Sequence, residues 1–137
     1  MFENLTVGLE KSVSMVVTES DTALAVGSGS LEVLATPKLV ALMEKAASEL
    51  ADENLPQEWT SVGFKMNIAH TAPTPVGMNV RADAELVEID DRELTFMIKA
   101  YDECDEVGSA RHERFIVDRR RFQSKADAKR RAQKKNS

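Results

Sequence analysis

The sequence has a single cysteine, Cys104, so the chain cannot form an internal disulfide bond. Cys104 lies in the acidic stretch of residues 101–106, where neighbouring carboxylates disfavour the thiolate form. It is therefore not a candidate nucleophile. An unpaired thiol suits a reducing compartment, and we expect a cytoplasmic protein.

Long apolar runs and export signals are also missing. No stretch of about 18 apolar residues can span a bilayer, and no basic start is followed by an apolar block and a cleavage site. The sequence therefore predicts a soluble, unprocessed chain that does not engage a membrane. Its 137 residues, 42% of them apolar, provide the length and the core material of one domain.

Histidine is scarce, which restricts metal and acid–base chemistry. The two imidazoles, His70 and His112, are far apart and, with one cysteine, give no spacing typical of a metal site. The segment Gly27-Ser-Gly29 lacks the further glycines and the lysine of a phosphate-binding loop. We therefore expect no metal and no separate cofactor. Any acid–base chemistry by an imidazole must use His70 or His112.

Charge is distributed unevenly along the chain. Residues 1–110 contain 7 Lys and Arg against 20 Asp and Glu, whereas residues 111–137 contain 11 against 3. A basic tail can contact nucleic acid or other phosphates, but this one has no aromatic residue beyond Phe122 and no recognition motif. A solvated tail that can form a helix is the simpler interpretation. We assign a folded domain to residues 1–122 and the tail to residues 123–137.

Apolar periodicity predicts strands on both sides of one helix. Alternation over residues 7–17 indicates a first strand, and residues 22–26 indicate a short second one. Residues 59–121 are interpreted as a meander of four strands joined by tight turns. The first of these four strands places five side chains on one face: Val62, Phe64, Met66, Ile68 and His70.

The helix is expected to begin at Thr36, which is suited to the N-cap, with Pro37 at the first helical position. Its apolar stripe comprises Leu39, Val40, Leu42, Met43, Ala46, Ala47 and Leu50. Glu44 lies at the border of the stripe, about 100° from its centre. The pattern predicts an α+β fold with an antiparallel sheet wrapped against one long helix. One helix leaves sheet edges uncovered, so we expect a homodimer.

His70 is the main candidate for chemistry because it ends a strand and opens the string His70-Thr-Ala-Pro-Thr-Pro-Val-Gly77. Prolines cannot donate to a central ladder, so the strand must end or bulge here, and side chains at such points tend to face a cleft. The alternative is a core imidazole bonded to a backbone carbonyl. His112, in the last strand, is expected to have a mainly structural role. Thr36 is either a cap or part of a carbonyl-binding helix start, and Glu44 is either catalytic or solvated.

Three features of the sequence together resemble one known family. They are the spacing of Thr36, Glu44 and His70, the string that begins at His70, and the string Gly-Ser-Ala-Arg-His-Glu-Arg at residues 108–114. This is the fluoroacetyl-CoA thioesterase-like family of hotdog-fold thioesterases. The resemblance extends over residues 7–122. The string at His70 is fairly specific, and the second string supports it.

The resemblance implies a hotdog fold, a homodimer or a dimer of dimers, and hydrolysis of acyl-coenzyme A thioesters. It implies that Thr36, Glu44 and His70 form the catalytic set. The candidate substrate-binding residues lie in the two strings: Thr71, Gly77 and Arg114. Coenzyme A is then part of the substrate and not a cofactor.

The region before the helix differs from the enzyme that gives the family its name, in which a longer, aromatic-rich lid helps to select the fluorinated acyl group. Residues 27–34 are a short stretch without aromatic side chains. We therefore expect a small acyl-CoA substrate whose acyl group is not specified further. Two alternatives stay open: a non-catalytic acyl-CoA binding module and, with less support, a nucleic-acid-associated protein that acts through its basic tail.

Overall fold

The computed structural model describes residues 2–136 and the side chains of residues 2–133. Its helices and strands lie in most places where the sequence predicts them. In chain order they are β1 (Glu10–Val16), α1 (Ala23–Val26), α2 (Thr36–Glu53), β2 (Trp59–His70), β3 (Asn79–Asp90), β4 (Glu93–Tyr101), β5 (Glu106–Asp118) and α3 (Arg119–Asn136). A short 3-10 turn over Glu19–Asp21 precedes α1.

The strands form one antiparallel sheet in the order β1-β3-β4-β5-β2, and α2 packs against one face of it. The buried positions of α2 follow the predicted stripe: Leu39, Leu42, Met43, Ala46, Ala47, Leu50 and Ala51. They meet a buried apolar face of β3 and β4: Val80, Ala82, Ala84, Leu86, Leu94, Phe96, Ile98 and Ala100. Each large side chain buried in this interface contributes about 1.5–3 kcal/mol. The predicted α+β sheet around one long helix is confirmed.

The predicted meander of four strands is wrong because β2 does not neighbour β3. β2 pairs with β5 at the edge of the sheet, and residues 71–78 carry the chain across to β3. This segment contains two prolines and cannot continue the ladder. It is held instead by isolated backbone hydrogen bonds with other segments. The Thr71 amide donates to the Val107 carbonyl (2.8 Å), and the Leu34 amide donates to the Thr74 carbonyl (2.9 Å).

A β-bulge between Gly63 and Lys65 changes which side chains of β2 face the helix. The predicted common face is correct for Met66, Ile68 and His70, which are all half-buried. It is wrong for Phe64, which is 52% exposed and packs edge-on against Phe115 on the opposite face of the sheet. Before the bulge the positions that face α2 are Ser61 and Gly63, so the prediction is also wrong for Val62, which pairs with Phe115.

The chain around the start of α2 also differs from the prediction. Residues 23–26 form the helical turn α1 and not a strand, because the Thr22 hydroxyl accepts the Ala25 amide and Gly27 closes the turn in a left-handed conformation. α2 begins at Thr36 itself, with Ala35 in the N-cap position and no side-chain cap. The prediction that Thr36 caps the helix is therefore wrong, and its hydroxyl is available for another contact.

The C-terminal tail is helical, as its composition allows. α3 begins directly after β5, and residues 119–133 are exposed to solvent. The Arg119 amide donates to the Glu58 carbonyl at 2.9 Å and so fixes the base of the helix beside β2. Neither α3 nor another helix within residues 2–136 is long and apolar enough to cross a membrane.

Gly108 of β5 provides a stability test of the contact between the sheet and α2. A β-carbon at this position would lie 3.0 Å from the Ala69 backbone oxygen and 3.0 Å from Leu39 Cδ2. The backbone oxygen belongs to a paired strand and cannot move freely. We expect Gly108→Ala to lower the free energy of unfolding by roughly 1–3 kcal/mol in urea denaturation. Ser109→Ala, on the opposite face of β5, is the control, and equal losses in both variants would contradict this account.

Candidate active site

The first residue of α2 and the last residue of β2 meet through their side chains. Thr36 Oγ1 and His70 Nδ1 are 2.7 Å apart, within a strong hydrogen bond. The other ring nitrogen of His70, Nε2, is buried and has no hydrogen-bond partner among the described residues. The packing of α2 on the sheet thus brings together a hydroxyl and an imidazole that are 34 positions apart in the sequence.

Burial lowers the pKa of His70 below its usual value of 6.5, and an interaction with the backbone of Ala72 opposes this effect. The imidazole is therefore mainly neutral at neutral pH. A neutral imidazole with one free nitrogen can accept a proton and later release it. This is the protonation state that general acid–base chemistry needs.

Thr36 and His70 form part of the wall of a cavity of about 300 Å³. The other lining residues are small or aliphatic: Ala23, Ser28, Val33, Leu34, Thr71, Ala72 and Pro73. None of these lining side chains carries a formal charge. The cavity therefore suits a small, uncharged group placed beside the hydroxyl and the imidazole.

Glu44 lies outside this cavity. It follows Thr36 by eight residues on α2, which corresponds to a rise of about 12 Å. Its side chain is 42% exposed, in keeping with the predicted position at the border of the apolar stripe. Glu44 Oε2 lies 3.7 Å from Arg114 Nη1 and 3.9 Å from His112 Nε2. Within one chain, the structure brings Thr36 and His70 together but leaves Glu44 apart from them.

A buried polar cluster beside Glu44 was not predicted as a unit. It consists of Ser61, His112 and Arg114, each at most 6% exposed. Arg114 Nε donates to Ser61 Oγ at 2.7 Å, and its Nη2 donates to the Ser61 carbonyl at 3.0 Å. Burial lowers the pKa of both His112 and Arg114. The signal was present in β5, since His112 and Arg114 share the parity of the buried Ala110 and Ile116.

The three candidate substrate-binding residues occupy different places. Thr71 lines the cavity next to His70. Gly77 does not; it has a positive φ of 94° in a turn, and its amide donates to the Val17 carbonyl at 2.8 Å. Arg114 is also outside the cavity and belongs to the buried cluster beside Glu44.

Comparison with known proteins identifies relatives along most of the chain. The family model for fluoroacetyl-CoA-specific thioesterases matches residues 17–120. A fluoroacetyl-CoA thioesterase from Streptantibioticus cattleyicolor is 37% identical over 98 residues, which are 72% of this chain and 70% of that protein.

Solved structures share the architecture. A structure of fluoroacetyl-CoA thioesterase superposes with a TM-score of 0.85 and 31% identity, covering 91% of this chain and 97% of that one. A thioesterase superfamily member from Thermus thermophilus gives a TM-score of 0.81 at 26% identity, with 96% and 94% of the two chains covered. A hot-dog-like protein from Thermanaerovibrio acidaminovorans, at 23% identity, a TM-score of 0.83 and coverage of 93% and 94%, supports the fold alone.

These matches confirm the predicted hotdog fold. The family match spans most of the chain, and the related sequence aligns over more than two thirds of both proteins. The chain is therefore a thioesterase that belongs to the fluoroacetyl-CoA-specific thioesterase family.

Proposed function

We propose that this thioesterase hydrolyses a small acyl-CoA ester to the free acid and coenzyme A, and that Thr36, Glu44 and His70 perform the reaction. The observation that carries the proposal is the 2.7 Å contact between Thr36 Oγ1 and His70 Nδ1 in the cavity wall. A hydroxyl and a neutral imidazole in contact can orient a water or a carbonyl and move a proton. A variant of the related fluoroacetyl-CoA thioesterase has been solved with acetyl-CoA, which supports a short acyl group here.

The lining of the cavity favours a short acyl group but provides little selection among such groups. The wall near α1 consists of Ala23, Val33 and Leu34, and residues 27–34 contain no aromatic side chain. Aliphatic side chains provide apolar contact but no specific polar partner for a fluorine substituent. Discrimination by one small group in an apolar pocket is limited to roughly 1–3 kcal/mol. We therefore infer that several short acyl groups are accepted.

The proposal places the complete site in a homodimer. β2 is an edge strand with one side unpaired in the described chain, and such edges commonly pair with another copy. Antiparallel pairing of two β2 edges would place the α2 helix of one subunit near the His70 end of β2 in the other. The carboxylate next to Thr36 and His70 would then be Glu44 of the partner subunit.

Hydrolysis of the thioester can follow two routes with these groups. In the first, Glu44 takes a proton from water while the water oxygen bonds to the carbonyl carbon; the neutral imidazole of His70 accepts that proton from Glu44 and delivers it to the coenzyme sulfur as the carbon–sulfur bond breaks. In the second, Glu44 attacks the carbonyl carbon and the carbon–sulfur bond breaks, which gives a mixed anhydride and the coenzyme thiolate; His70 then takes a proton from the water that hydrolyses the anhydride and passes it to the thiolate. In both routes Thr36 orients the water or the carbonyl at the N-terminus of α2, where its own backbone amide can also donate.

Substitution of the catalytic set gives the direct test. We expect His70→Ala and Glu44→Gln each to reduce turnover by roughly 10²-fold or more, because each removes a proton-transferring or nucleophilic group. Release of free coenzyme A from a panel of short acyl-CoA esters is the measurement. Glu49→Gln, which changes a carboxylate of similar exposure on the same helix, should leave turnover unchanged. Near-normal rates in a folded His70→Ala protein would exclude His70 from the mechanism.

The change of kcat at acid pH should reflect the protonation of His70. Burial places the pKa of His70 below 6.5, so lowering the pH protonates the imidazole only below that value. Because the neutral form accepts the proton, we expect kcat to fall as the pH decreases through this range. NMR titration of the ring protons checks the same group, and His70→Ala assigns the signal because the chain has only two histidines. A His70 midpoint above 6.5 would be inconsistent with the proposal.

Removal of the basic tail distinguishes a thioesterase function from a function in nucleic-acid binding. None of the residues that line the cavity belongs to α3. We expect a chain that lacks residues 123–137 to retain wild-type turnover of acyl-CoA within about threefold, since the fold and the site lie in the preceding residues. Loss of turnover together with loss of salt-sensitive polyanion binding would instead assign function to the tail.

A further inference from the structure

His112 is held by both ring nitrogens, although it lies outside the cavity of Thr36 and His70. Nδ1 donates to the Lys65 carbonyl at 2.8 Å, and Nε2 accepts from Arg114 Nη1 at 3.1 Å. These two bonds define one neutral tautomer, with the proton on Nδ1. Its side chain is 1% exposed. A ring fixed in this way presents a hydrogen-bond acceptor to Arg114 in a single orientation.

The bulge in β2 accounts for the acceptor of the Nδ1 proton. Between Gly63 and Lys65 the pairing with β5 is interrupted, and the carbonyl of Lys65 accepts from a side chain. A regular strand would direct its carbonyls to the neighbouring backbone. The bulge therefore provides the backbone carbonyl that fixes the buried imidazole.

The guanidinium of Arg114 is held by three hydrogen bonds and lies next to Glu44. Ser61 accepts two of its bonds and His112 accepts a third, and its side chain is 7% exposed. The nearest anion is the Glu44 carboxylate at 3.7 Å, and Asp52 also attracts Arg114 electrostatically. A buried guanidinium is costly unless it is bonded and compensated, so its orientation toward Glu44 is determined by these partners.

Gly63 provides the space in which Glu44 meets this cluster. A β-carbon at position 63 would lie 2.8 Å from Glu44 Oε2 and 2.9 Å from His112 Cε1. The missing side chain lets the carboxylate lie directly over β2, next to Arg114 and His112. The same glycine thus admits both the carboxylate and the ring.

We propose that His112 is a positioning residue for thioester hydrolysis: it holds Arg114 so that the guanidinium orients the carboxylate of Glu44. The inference rests on the proposed role of Glu44. It differs from a structural role in the core, because a core imidazole requires satisfied nitrogens but no link to a half-exposed carboxylate. The link runs from the Lys65 carbonyl through His112 and Arg114 to Glu44.

Two substitutions at His112 distinguish these roles. His112→Phe keeps a ring beside Phe96 but removes both hydrogen bonds. His112→Gln restores an acceptor within reach of Arg114. We expect kcat to fall at least tenfold in the Phe variant with KM changed by less than about threefold, because the interaction acts on the transition state. The Gln variant should recover most of the loss. Equal kcat in folded wild-type and Phe proteins would overturn the proposal.

A double-mutant cycle shows whether His112 acts through Glu44. In the background of Glu44→Gln, His112→Phe should cause little further loss of kcat, because the group that it orients is already gone. Fully additive losses would mean that His112 acts independently of Glu44, and the proposal would be wrong. Should the Phe variant fail to fold, Arg114→Lys carries the same cycle.

An NMR measurement that does not depend on turnover tests this inference separately from the proposed function. The buried guanidinium of Arg114 should give slowly exchanging NMR signals in wild type, and these should broaden or exchange faster in His112→Phe. Unchanged Arg114 signals in the variant would exclude the positioning link. Absence of acyl-CoA hydrolysis by wild type would instead remove the proposed function while leaving the link between His112 and Arg114 measurable.

Discussion

The packing of α2 into the sheet is the interaction on which the rest of the molecule depends. The helix buries one continuous stripe, and small side chains on both surfaces, such as Ala46, Ala47, Ala82 and Ala84, allow close approach. That contact fixes where every residue of α2 lies along the sheet. It places Thr36 at the end of β2 and the carboxylate of Glu44 over the bulge. Polar groups at the border of an apolar interface thereby acquire defined neighbours without forming part of the core.

Local signals were sufficient to predict the long helix and the five strands of the sheet, whereas Thr36 and His70 were brought together by the resemblance to a family. The apolar stripe of α2 repeats at helical spacing, and the prolines after His70 mark the end of β2. The motifs that resemble a known family then identified the hydroxyl and the imidazole. Two assignments failed for local reasons. Residues 22–26 are too short to distinguish a strand from a capped helical turn, and Thr36 uses its hydroxyl for a contact distant in sequence.

The remaining differences are tertiary and could not be predicted from periodicity. A bulge adds one residue to β2, which moves Phe64 to the outer face while Met66 and His70 stay inside. The order of the strands follows from the crossover of residues 71–78, whose bonds come from elements far along the chain. The burial of Arg114 follows the parity of β5, but a charged residue in an alternating strand is ordinarily assigned to the solvent face. Hydrogen bonds to Ser61 and His112 and the nearby carboxylate of Glu44 stabilise the buried guanidinium.

The direct junction between β5 and α3 makes the molecule an electric dipole. Arg119 follows Asp118 without a linker, and its amide is bonded to the Glu58 carbonyl, so the helix does not swing freely about its base. Nine Lys and Arg and one Asp fall within residues 119–137, and the preceding residues are strongly acidic. The separated charges exert a torque on the molecule in the field of an approaching polyanion. Encounters with such a molecule therefore begin in a preferred orientation, with the C-terminal pole foremost.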